Sequence, residues 1–76
     1  MKDVRKDHQR LLNNLKLIQK NWGVNALCVA LSISPNTWTN RMKEPWRLFS
    51  YDDFRTISQY CKIEFTQLME GELRII

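Results

Sequence analysis

Across 76 residues only Gly23, Pro35, Pro45 and Gly71 punctuate the chain. Between those breaks the apolar residues recur at three- and four-residue spacing, which predicts packed helices and leaves no stretch patterned as a sheet. No internal repeat or low-complexity tract interrupts them. A chain of 76 residues is read as one domain, since either half alone would bury too little apolar surface to offset its conformational entropy. Hydrophobic residues at 43% and charged ones at 26% fit a globular composition. The longest apolar run, Ala26 to Leu31, is far below the roughly 20 residues a membrane span needs. Lys2, Asp3, Arg5, Lys6 and Asp7 open the chain with no apolar core behind them, so no secretory signal is read and a cytoplasmic location is expected.

The intervals predict five helices. The first covers 4–20, with Leu11, Leu15 and Ile18 on one face, Asp3 as N-cap and Asn21 as a left-handed terminator. A short, almost wholly apolar segment at 24–31 fits a helix buried by its neighbours, with Trp22 placed to staple its start. Ser34 then offers an N-cap and Pro35 a first-turn residue whose missing amide hydrogen costs nothing, so a third helix runs from there to about Lys43, stopped by Pro45. Its only strongly apolar pair is Trp38 and Met42. Ser50 and Asp53 form a capping box ahead of Phe54, Ile57 and Cys61, and Phe65, Leu68 and Met69 mark a last short helix closed by Gly71. Residues 72–76 are left as a tail.

The chemistry-bearing residues exclude more than they suggest. Cys28 and Cys61 sit inside apolar helical patterns, where free cysteine packs as a small hydrophobe, and His8 is too distant from both for metal-ligand spacing. No serine or cysteine has a local activating partner, so neither an enzyme, a cofactor nor a small-molecule substrate is expected. The charge distribution is more informative. Residues 1–22 carry six basic and two acidic side chains, 23–48 three and one, and 49–76 three and five. No acidic residue lies between Lys16 and Lys43, although Lys16, Lys20, Arg41 and Lys43 are basic. A generic surface mixes signs, so a polyanionic partner is expected on this part of the molecule.

Leu27, Cys28, Ile33, Ser34 and Trp38 stand where the Cro and phage-repressor (Xre-like) helix-turn-helix family has a leucine, a small residue, an aliphatic turn residue, a serine cap and an apolar anchor. Residues 27–42 resemble that motif, and Arg41-Met42-Lys43-Glu44-Pro45 with Phe49-Ser50 resembles the family's continuation into its fourth helix. The likeness covers roughly residues 11–71. It implies an all-α, five-helix repressor-like domain whose helix-turn-helix spans about 24–43, and a phage or bacterial regulator binding double-stranded DNA. Two positions depart. Ser32 replaces the turn glycine, and Val24 replaces a polar residue that in relatives contacts phosphate, leaving that role to backbone amides and the Asn25 side chain.

With Trp38 and Met42 turned inward, helical geometry puts Asn36, Thr39, Asn40 and Lys43 on the outward face as candidate base contacts. Asparagine pairs with adenine N6 and N7, lysine suits guanine, and the threonine methyl meets the thymine methyl. The resemblance puts base reading at Pro35, Asn36, Thr39 and Asn40, and Pro35 has no polar side chain to contribute. Thr37, Arg41, Arg47, Lys20, Arg10 and Asn25 are candidate phosphate contacts, each equally readable as solvated polarity. Trp46 is expected in a loop, packing between the third and fourth helices in preference to touching nucleic acid, and His8 is expected exposed. Repressors of this shape pair half-sites about 10 base pairs apart, which implies a homodimer. Leu73, Ile75 and Ile76 would supply a dimer or partner contact, or simply fray. The competing reading is a protein-interaction module on the same fold without DNA binding.

Overall fold

Each interval between breaks forms helix. The computed structural model describes residues 4–71 and 73, and among these the elements are α1 (Val4–Trp22), α2 (Val24–Leu31), α3 (Pro35–Arg41), α4 (Pro45–Leu48), α5 (Tyr51–Cys61) and α6 (Phe65–Glu70). The chain is all-α with six helices among the described residues, one more than expected. The addition is α4. Pro45 does not merely stop α3; it starts a new turn, with the amides of Arg47 and Leu48 donating to the Glu44 carbonyl at 3.0 and 2.9 Å.

Helix ends account for the other shifts in boundary. α1 runs past Asn21, whose side-chain amide donates to the Leu17 carbonyl at 2.8 Å, and stops at Gly23, where φ is +88°. Asp3, the expected cap, lies outside the described residues. Both Ser34 and Ser50 cap as expected: Ser34 Oγ accepts the Thr37 amide at 3.2 Å, while Ser50 and Asp53 exchange bonds of 3.1 and 3.0 Å. Gly71 ends α6 in extended backbone, φ −87°, so its place there does not depend on a left-handed conformation.

Two helix pairs share one backbone design. α2 closes on Ser32 in the left-handed region (φ 57°), with the Ile33 amide reaching back to the Cys28 carbonyl at 3.0 Å. α5 closes on Lys62 (φ 56°), with the Ile63 amide on the Ser58 carbonyl at 2.9 Å. In each case an isoleucine follows the left-handed residue, and the fourth residue of the next helix, Trp38 or Leu68, is buried. The repeat absent from the sequence is therefore present in the backbone. A left-handed residue with a side chain costs about 1–2 kcal/mol, part of which glycine returns as chain entropy. Ser32→Gly is accordingly expected to stabilise by about 0.5–1 kcal/mol and raise the melting temperature by roughly 4 °C. A calorimetric scan showing a lower melting temperature would mean that the exposed serine hydroxyl offsets the strain.

The core joins Leu11, Leu15 and Ile18 of α1 to Leu27 and Cys28 of α2, Trp38 of α3, Phe54, Ile57 and Cys61 of α5, and Leu68 of α6. α1 packs on α2, α4 and α6, while α2 packs on α3 and α5. Trp38, Phe49 and Phe54 form an aromatic chain with centroids 5.4 and 5.6 Å apart in edge-on and tilted geometries, the arrangement ring quadrupoles favour.

Three expectations are corrected here. Leu73 is not a free contact: it is 8% exposed and part of the core, and its amide donates to Asn14 Oδ1 at 3.0 Å. Ile75 and Ile76 lie outside the described residues. His8 is half-buried and stacks on Trp46 with centroids 4.1 Å apart and planes 2° from parallel. Trp46 thus rests on α1 from its place on α4, because the extra helical turn carries it there. Among the described residues no helix is long and apolar enough to cross a membrane.

Candidate nucleic-acid interface

α3 has one committed side and one open side. Trp38 is 1% exposed, and its indole N–H donates to Gln19 Oε1 of α1 at 2.8 Å. Arg41 turns away from solvent to donate to Asp53 Oδ2 at 2.9 Å, with its guanidinium 5.8 Å from the Phe49 ring centroid. Thr37 is half-buried, and its hydroxyl lies 3.0 Å from Ser34 Oγ within the cap. On the other side Asn36, Thr39 and Asn40 are exposed. Thr39 Oγ1 donates to the Pro35 carbonyl at 3.0 Å, which leaves its methyl as the group free for contact. The amides of Asn36 and Asn40 have no partner among the described residues, and their four-residue spacing puts them on one face.

Lys43 is exposed, but α3 ends at Arg41 and Lys43 lies in the following turn, its amide bonded to the Asn40 carbonyl at 3.3 Å. The helical face therefore ends at Asn40. The helix expected to about Lys43 ends two residues sooner, because the Lys43 and Glu44 amides bond carbonyls three residues back, a tightened turn ahead of Pro45.

The basic candidates divide by what already holds them. Lys20, in the last turn of α1, and Asn25, in the first turn of α2, are exposed without a partner among the described residues. Lys20 adjoins Gln19, whose bond to Trp38 ties this end of α1 to the buried side of α3. Arg47 is exposed and pairs with Glu44 within one turn, a contact worth only about 0–1 kcal/mol in water. Arg10 and Arg41 are engaged within the protein. Arg10 donates to the Glu70 carbonyl at 3.1 Å and lies 3.9 Å from Asp7, so it serves the C-terminal end of α6, where unpaired carbonyls attract positive charge. Arg41 is spent on Asp53, the capping-box carboxylate of α5.

Sequence reasoning missed Gln19 and Asp53 as the partners of Trp38 and Arg41. Gln19 follows Ile18 and lies beside the Leu11–Leu15–Ile18 stripe, the one signal that its amide faces another helix.

The thiols do not add chemistry to this surface. Cys28 and Cys61 are buried and unpaired, and burial pushes both above the usual thiol range, Cys61 to about 11. Neither is a thiolate near neutral pH, and a nucleophile requires the thiolate. What the open side of α3 offers is two carboxamides without a partner among the described residues, a methyl and, in the turn that follows, the exposed Lys43. Compared with family models, curated proteins and solved structures, the chain finds no match.

Proposed function

We propose that the protein binds double-stranded DNA sequence-specifically, with α2 and α3 acting as a repressor-type helix-turn-helix that lays α3 in the major groove. The observation that carries this reading is the two-sidedness of α3: Trp38 fully buried behind, Asn36 and Asn40 exposed in front and without a partner among the described residues. A carboxamide can both donate and accept, which matches the adenine edge, and the Thr39 methyl complements thymine. Lys20 and Asn25 supply phosphate contacts that hold the register, and Arg47 joins them where phosphate displaces its exposed Glu44 partner. A dimer on a two-fold site belongs to the same proposal, because one short helix buries little surface by itself. Leu73 does not form its contact, being turned into the core.

Asn40→Ala is expected to lose about 1–3 kcal/mol on the preferred duplex and almost nothing on a scrambled one. Lys20→Ala should weaken both alike and lower the salt slope by roughly one. Titrating both variants against both duplexes over a range of salt separates reading from positioning. Equal losses on the two duplexes for Asn40→Ala would remove it from the reading face.

A further inference from the structure

α3 is seven residues long, about 10 Å, too short to hold its own conformation in water. Its position and its roll about its axis must come from what it packs against. Apolar contact is non-directional, so burial of the Trp38 ring fixes depth better than it fixes angle. Beside the edge-on Phe49 ring, the hydrogen-bonded contact at mid-helix is the 2.8 Å bond from the Trp38 indole N–H to Gln19 Oε1. Indole nitrogen has only this one proton to donate, and Trp38 is 1% exposed, so an unmade bond would leave a buried donor unsatisfied.

We infer that Gln19 is a positioning residue for base reading, setting the roll of α3 and so the aim of Asn36 and Asn40; this rests on the DNA-binding reading of α3. Side-chain tips lie about 6 Å from a helix axis, so a roll of about 10° moves them by about 1 Å. A bidentate contact tolerates only about 0.5 Å and 10–20° of misplacement. Loss of the Gln19 bond therefore disturbs reading before it disturbs folding. The second polar tie, Arg41 to Asp53, passes through a long flexible side chain at the helix end and restrains position more than roll.

The test uses the full chain with two substitutions at one position. Gln19→Leu keeps the bulk and removes the acceptor, whereas Gln19→Glu keeps an acceptor oxygen. Gln19→Leu should lose about tenfold on the preferred duplex, roughly one base contact, with binding to a scrambled duplex unchanged. Gln19→Glu should weaken both duplexes together, through its charge, and keep the ratio between them. In a background lacking both amides, Asn36→Ala with Asn40→Ala, Gln19→Leu should change the ratio no further. If Gln19→Leu does not melt in a single transition, Trp38→Phe removes the donor instead and takes its place in the same cycle. A protein that discriminates between duplexes as before with Gln19→Leu overturns the positioning role alone. Failure of the unmutated protein to prefer any duplex overturns the DNA reading, and this inference with it.

Discussion

Trp38→Ala is expected to destabilise the protein by roughly 3–5 kcal/mol, most of what a domain of this size has. The ring is fully buried, meets Phe49 edge-on at 5.4 Å, and is the only α3 side chain in the buried core. Its loss leaves a cavity between α3 and the rest of the molecule, together with a half-buried Gln19 amide that no longer has a donor opposite it. Because α3 is short, no internal stability compensates. At roughly 4–8 °C per kcal/mol, the melting temperature should fall by tens of degrees, read by circular dichroism. A fall of a degree or two would place Trp38 at the surface, and the open face of α3 would have to be reassigned.

Asn14→Leu should cost about 3 kcal/mol, although it replaces a polar group in the interior with an apolar one of similar size. Asn14 is 2% exposed and makes three bonds: its amide donates to the carbonyls of Leu68 and Gly71 at 3.0 and 2.8 Å, and its oxygen accepts the Leu73 amide at 3.0 Å. It thus ties the end of α6 and the residues beyond it to α1. The substitution leaves two carbonyls and one amide without their partner, and unmade bonds to buried groups are the expensive kind. Leu73→Ala should reproduce part of the loss by emptying the adjoining core position. Chemical denaturation measures both. An Asn14→Leu variant as stable as the parent would mean that water satisfies those groups and that the segment after α6 is not clamped.

Much of the fold was legible because its determinants are local. Ser34-Pro35 and the Ser50–Asp53 box announce helix starts through bonds made within one turn, and Leu11, Leu15 and Ile18 disclose a buried face by spacing alone. α4 was missed because proline is ambiguous: Pro45 cannot continue α3 but is well suited to a first turn. The paired design of α2–α3 and α5–α6 was hidden because, at their turns, the two segments have only Ile33 and Ile63 in common. Their likeness is in backbone angles, and Ser32 and Lys62 enter the left-handed region without the glycine that would announce it.

On α3, spacing from Trp38 placed Asn36, Thr39 and Asn40 on the exposed side. The same logic could not show which arginines already have partners. Arg10 and Arg41 read as basic surface, yet their partners, the Glu70 carbonyl and Asp53, are brought to them by tertiary packing across 60 and 12 residues. Charge along a sequence marks where cations are, and only the fold decides which of them remain available.

The central claim is that the open face of α3 reads bases. Its most direct measurement is selection of duplexes from a random pool by the unmutated protein, followed by titration of the selected and a scrambled duplex at two salt concentrations. The account predicts a common selected sequence with adenines at positions contacted by Asn36 and Asn40, bound at least 10³-fold more tightly than the scrambled duplex, an order of magnitude typical of specific readers. It further predicts that this ratio survives added salt better than either affinity does, because phosphate contacts are shared by both duplexes and base contacts are not. A pool that yields no common sequence, with equal affinities that collapse together as salt rises, would contradict it.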